Sequence, residues 1–132
     1  QQTVKRLLDN VIETDTIENH SDKVILPVSN GFKVINEEEI IRLEADDCYT
    51  HICTTTEKKI TISKTLKEFE EKLSDNKFFR VHKSHLVNLS HIKEYSKLDG
   101  GIISMSDGVK IQVSRRKGPE FTEKFKEFSQ KR

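Results

Sequence analysis

Residues 24–35, Val24-Ile25-Leu26-Pro27-Val28-Ser29-Asn30-Gly31-Phe32-Lys33-Val34-Ile35, decide the fold class. Two apolar, β-branched runs flank Asn30-Gly31, a pair whose residues both tolerate positive φ, and the stretch reads as a β-hairpin. Pro27 has no N–H to give to a ladder, which assigns its strand to a sheet edge. The same texture continues downstream. Ile40 to Ala45 is a third strand, Asp46-Asp47-Cys48 interrupts it, and Tyr49 to Thr54 resumes as a fourth. After a polar turn at Thr55 to Lys58, Lys59-Ile60-Thr61-Ile62-Ser63 alternates with the period of a half-buried strand.

Thr65 opens a helix: Leu66, Phe69 and Leu73 form an apolar stripe, and Thr65 with Glu68 makes a capping box. Asp75-Asn76 ends it. Further short strands follow at Phe78 to Val81, around Leu86 to Leu89, and at Ile92 to Tyr95. Asp99-Gly100-Gly101 turns the chain into Ile102 to Met105, and Ser106-Asp107-Gly108 turns it again into Val109 to Val113. After Gly118-Pro119, Phe121, Phe125 and Phe128 fall on one face of a closing helix. Upstream, Val4, Leu7, Leu8, Val11 and Ile12 make a short amphipathic helix, and Thr14 to Asp22 loses periodicity and reads as a linker. The expectation is a mainly β domain, with a minor α+β character, of about nine or ten short strands and two small helices over residues 23–132.

The chain has 132 residues, 34% of them charged and 33% hydrophobic, which suits one small-cored domain. It opens on Gln1 and is read as a piece of a longer protein. No run approaches the ~20 apolar residues of a membrane helix, so no membrane partner is expected. Cys48 and Cys53 are too few for a disulfide scaffold and suit a reducing, cytoplasmic setting. The net charge of +1 conceals an asymmetry. Residues 1–76 carry 10 Lys and Arg against 16 Asp and Glu, whereas residues 77–132 carry 13 against 6. The basic half can present a cationic face to a polyanion, or the two halves can attract each other within one fold.

Catalytic and metal chemistry find little support. His82, His85 and His91 cluster in sequence, but on a strand His82 and His85 would point to opposite faces, and the cysteines lie elsewhere. Ser84 and Cys48 lack a recognisable base and orienting acid, and no glycine-rich phosphate loop is present. No enzyme activity and no cofactor are expected. Two basic polar runs do stand out, Arg80-Val81-His82-Lys83-Ser84-His85 and Ser114-Arg115-Arg116-Lys117. Taken alone, the first reads as a solvated turn and the second as an ordinary approach to a helix. Both in the basic half of one small domain point to nucleic acid, since Lys and Arg are the main donors to phosphates and to guanine O6 and N7. No aromatic signature for stacking single-stranded bases accompanies them.

The run Phe78-Phe79-Arg80-Val81-His82-Lys83-Ser84-His85-Leu86-Val87-Asn88-Leu89-Ser90-His91-Ile92 resembles the signature of the LytTR family of DNA-binding domains. Met105-Ser106-Asp107-Gly108, with Ile111-Gln112-Val113-Ser114-Arg115-Arg116, resembles that family's closing motif. Segments 44–50 and 63–69 resemble the parts between, so the resemblance covers roughly residues 24–128. It implies an elongated stack of short antiparallel β-sheets that follows a receiver domain in a two-component response regulator. Such domains bind promoter repeats in double-stranded DNA, with loops from successive β segments entering successive major grooves. Carried over by position, Lys83, Arg116 and the loop Asp47-Cys48-Tyr49 are the base-reading candidates, Lys83 and Arg116 being set far enough apart for neighbouring grooves. His82, Ser84, Arg115 and Lys64 are phosphate or positioning candidates, and Leu86 and Asn88 are structural. Residues 1–22 would then be the helix tail and linker of the receiver domain, which a sensor histidine kinase would act on, and dimerisation on DNA is possible. The competing reading is a protein-interaction module whose basic loops bind an acidic partner protein.

Overall fold

The structure is a computed structural model that describes residues 17–20, 22–57 and 59–130. The expected helix over residues 4–12 lies outside the described residues. Among the described residues there are eleven strands in three antiparallel sheets, most of them built on alternating apolar residues. The first sheet holds β1 (Glu18–His20), β2 (Lys23–Val28) and β3 (Gly31–Asn36) in that spatial order. The central sheet is made of β4 (Ile40–Asp46), β5 (Tyr49–Thr54), β6 (Ile60–Ile62), β7 (Phe78–His82) and β8 (His85–Asn88), in the order β6-β5-β4-β8-β7. The third sheet orders β11 (Lys110–Gln112), β10 (Ile102–Met105) and β9 (Ile92–Ser96). The described residues also form two α-helices, α1 (Leu66–Lys72) and α2 (Gly118–Gln130).

The period-2 alternation of the central strands explains why the sheets stack. Leu43, Ile52, Ile60, Ile62, Phe78 and Leu86 face the first sheet and α1, forming one core with Val24, Leu26 and Phe69. Ile41, Phe79, Val81 and Val87 face the other way, into a second core with Ile103, Ile111 and Phe121. The central sheet is therefore apolar on both sides and is sandwiched between two smaller sheets.

Three expectations need correction. The linker over residues 14–22 is in part a strand: Ile17 is 2% exposed, and Glu18, Asn19 and His20 pair with Ile25, Val24 and Lys23. Consequently β2 is the middle strand of its sheet, not an edge. Pro27 is tolerated there because the three-residue β1 stops short of it, leaving only Phe32 of β3 opposite. The first hairpin turns at Ser29-Asn30, one residue earlier than expected, because Val28 pairs with Gly31. Only the glycine takes positive φ (+150).

What holds β1 is a buried carboxylate. Glu37, fully buried, accepts from Asn19 Nδ2 at 2.7 Å, from Ser74 N at 3.0 Å and from Ser74 Oγ at 2.9 Å, and pairs with Lys77 Nζ at 3.4 Å. The clamp ties the N-terminal strand to the chain after α1. Glu37→Gln keeps the shape but turns one acceptor into a donor that faces other donors. The expected cost is about 1–3 kcal/mol of unfolding free energy, read from a denaturant melt. An unchanged midpoint would remove Glu37 from the clamp.

Candidate nucleic-acid interface

Five loops are linked in turn around the central sheet, by two backbone bonds, one side-chain bond and one shared groove. The β4–β5 hairpin pairs Asp46 with Tyr49 and turns at Asp47-Cys48, where Asp47 takes φ +59, a left-handed conformation that Asp tolerates better than most residues. Asp47, Cys48 and Tyr49 are all exposed. The carboxylate of Asp46 is engaged sideways, accepting from His51 Nε2 at 2.8 Å. Thr50 Oγ1 donates to the Lys64 carbonyl at 2.7 Å, which brings the segment after β6 alongside this hairpin. Lys64, Tyr49, Ser29 and Asn30 then line a wide groove of about 1100 Å³. The tip of the first hairpin thus joins Tyr49 and Lys64, a grouping that no sequence motif announced.

The β7–β8 hairpin pairs His82 with His85 across the two-residue turn Lys83-Ser84. Ala45 N donates to the Ser84 carbonyl at 2.9 Å, setting this turn beside the β4–β5 hairpin. Ser84 N donates to His82 Nδ1 at 3.1 Å, and the Arg80 guanidinium donates to the Lys83 carbonyl at 2.5 Å and to Glu70 of α1 at 3.0 Å. The turn is therefore braced from inside and from α1, while the Lys83 side chain stays exposed. Arg80 was part of the basic run in sequence but not among the expected contact residues.

Val81 accepts a bond from Ser114 N at 2.8 Å, so the short 3₁₀ turn Arg115–Lys117 begins alongside the end of β7. Arg115 and Arg116 are exposed, and neither they nor Lys83 form an ion pair with a described residue. Lys117 is more engaged, lying 5.7 Å from the Phe79 ring centroid and 3.8 Å from Glu120. Arg80, His82, Lys83, Ser114, Arg116 and Lys117 border one concavity of about 520 Å³, with Glu70 at its margin. Lys83 and Arg116 therefore border a common space, whereas the sequence reading sets them far enough apart for neighbouring grooves. The neighbouring groove is mixed but richer in carboxylates: Asp75, Glu120, Glu123 and Glu127 border it together with Arg80, Lys117 and Lys124.

The histidines also depart from expectation. His82 and His85 are cross-strand neighbours with ring centroids 5.6 Å apart, because a two-residue turn lies between them. Among the described residues, however, no group of three or more His, Cys, Asp or Glu is poised to hold a metal. His91 is occupied by structure: Nε2 donates to the Glu38 carbonyl at 2.7 Å, and Nδ1 lies 3.0 Å from Ser106 Oγ. Leu86 and Asn88 are buried, and Asn88 Nδ2 donates to the Ile40 carbonyl at 2.9 Å. Arg42 of β4 reaches Asp107 in the β10–β11 turn at 3.1 Å, linking the central and third sheets.

Burial pushes the His85 imidazole below its ordinary value of 6.5, helped by the nearby Arg42 and His82 and opposed by Glu44. Its Nδ1 is buried without a hydrogen-bond partner among the described residues. Well above its ordinary value of 6.5 the ring is neutral in both folded and unfolded chains. As pH falls below that value, the unfolded chain takes up a proton that the folded chain resists, so stability falls. His85→Gln is expected to flatten the stability–pH curve between about pH 7 and pH 5, measured by urea unfolding. An equally steep curve in the variant would assign the loss to other groups.

Comparison with known proteins agrees with this architecture. Residues 30–126 match the LytTr DNA-binding domain family. The chain is 32% identical over 121 residues to the sensory transduction protein LytT of Bacillus subtilis, covering 87% of this chain and 50% of that protein. It is 28% identical over 108 residues to the transcriptional regulatory protein LytR of Staphylococcus aureus, covering 80% and 44%. The chain thus spans about half the length of the curated relatives it matches. Among solved structures it resembles the LytTr DNA-binding domain of a protein described as a methyl-accepting/DNA response regulator from Bacillus cereus. That match has TM-score 0.69 at 28% identity and covers 80% of this chain and 97% of the other. With three stacked antiparallel sheets, basic loops linked around the central sheet and a family match over most of its length, the chain belongs to the LytTr DNA-binding domain family.

Proposed function

We propose that this chain is the output module of a response regulator, docking its basic loops on double-stranded DNA to control transcription. The observation that carries the reading is the set of exposed cations free of ion pairs with described residues, Lys83 in the turn after β7 and Arg115 and Arg116 in the turn that begins alongside the end of β7. Phosphate contacts supply most of the affinity in such a docking, and base-edge contacts supply the choice of sequence. Arg116 and Lys83 enter the major groove together, with Arg able to bridge guanine O6 and N7. The Asp47-Cys48-Tyr49 loop reads the duplex further along, where Lys64 takes a phosphate. Arg115, His82 and Ser84 fix register on the backbone. The acidic border formed by Glu120, Glu123 and Glu127 limits how far the duplex extends toward α2.

The domain performs no catalysis in this reading and works in the cytoplasm. Among the described residues no helix is long and apolar enough to cross a membrane. The greater length of the matched regulators supports a preceding receiver domain phosphorylated by a sensor histidine kinase. Because β1 belongs to the first sheet, the boundary with that domain lies before Ile17 and not after Asp22. Selection of bound duplexes from a random pool tests the function. Enrichment of a spaced direct repeat, read by two copies side by side, is expected. Recovery of no duplex above background, with retention on an acidic protein instead, would replace the DNA reading with protein docking.

A further inference from the structure

We propose that Glu70 is a built-in stand-in for a DNA phosphate, held by Arg80 in the free domain and exchanged for a backbone phosphate on binding. The idea rests on the DNA reading above and deepens it by making Arg80 a contact residue. The concavity beside the Lys83 turn is bordered by Arg80, Lys83, Arg116 and Lys117, with His82 between them and Glu70 as its one carboxylate. Arg80 Nη1 donates to Glu70 Oε1 at 3.0 Å, while Nη2 donates to the Lys83 carbonyl. Its Nε is buried without a partner among the described residues. A guanidinium carries five donors in a planar fork that matches a phosphate as well as a carboxylate, and Arg80 uses only part of that fork.

Two features make exchange cheap. The Arg80–Glu70 pair is exposed, with side chains 25% and 45% accessible, and an exposed ion pair is weak and screened by salt. The bond from Arg80 to the Lys83 carbonyl does not involve Glu70, so the turn keeps its brace while the other edge of the fork changes partner. Glu70 is a solvent-facing residue of α1, free to swing away once released. In the free domain its charge offsets part of the crowded positive field. On DNA it must be displaced, which lowers affinity for every duplex regardless of sequence.

The test is Glu70→Gln, which retains a hydrogen-bonding group for Arg80 but loses the charge. Binding to a random-sequence duplex of about 20 base pairs, followed by fluorescence anisotropy at ~0.1 M salt, is expected to tighten roughly 3- to 10-fold. Adding Arg80→Gln should abolish that gain. In the unmodified chain, the Arg80 Nε–H resonance should shift when the duplex is added. If Glu70→Gln binds as before or more weakly, or the Arg80 signal stays in place, Glu70 is only an anchor for Arg80 and the exchange is wrong. An unmodified chain that binds no duplex at all overturns the DNA reading as well; binding without a gain in Glu70→Gln overturns the exchange alone.

Discussion

Phe121→Ala is expected to destabilise the domain by about 3–5 kcal/mol, the range for truncating a large buried aromatic ring. Phe121 is 2% exposed and is the buried anchor of α2. Its ring lies 6.0 Å from Phe79, 5.2 Å from Tyr95 and 6.1 Å from Phe125, joining the central sheet, the third sheet and the helix. No neighbour can collapse into the gap without moving one of the three elements. The consequence reaches function through the chain. Arg115 and Arg116 sit in the turn that leads directly into α2, so loosening the helix loosens them. Below its lowered melting temperature, the variant should therefore bind duplex DNA more weakly than the unmodified domain. Phe128→Ala, at the far end of the helix and only half-buried, should cost much less and leave binding intact. Equal losses from both substitutions, by calorimetry, would mean that the anchor is shared along the helix.

Arg116→Ala is expected to cost about 1–3 kcal/mol of binding free energy, roughly 5- to 150-fold in affinity, and to relax preference at one base position. The fold should be untouched, because Arg116 is exposed and in no ion pair with a described residue. Arg115→Ala should act differently, weakening all sequences alike and reducing the salt slope by about one unit. Comparing the two variants on a selected duplex and a scrambled one separates the roles. A uniform loss for Arg116→Ala would turn it into a phosphate contact.

The elements that sequence could show were those carried by local chemistry. Thr65 caps α1 as expected, its hydroxyl accepting from Glu68 N at 3.4 Å, and alternation in 40–46 and 49–54 gave two adjacent strands. What stayed hidden depended on distant partners. Glu18-Asn19-His20 has no alternation to reveal a strand, since its hold comes from Glu37 and Ser74 elsewhere in the chain. The two-residue length of the Lys83-Ser84 turn was not legible, because neither residue takes positive φ and nothing required glycine or asparagine there. That single omission also misplaced His82 and His85 on opposite faces. The basic runs were legible as residue types. Their meeting in one concavity was not, because it follows from the bond between Ser114 and Val81, 33 residues apart in number. Arg80 was hidden for a related reason: the Lys83 carbonyl it braces and the Glu70 carboxylate it pairs with are brought to it by folding.

Amide resonance mapping during titration with a selected duplex examines most directly whether the linked basic loops are the surface that meets DNA. Shifts should concentrate at residues 47–49, 63–65, 83–84 and 114–117, and fade as salt is raised. Shifts centred on the outer face of α2 and β9, with those four segments unmoved, would contradict it.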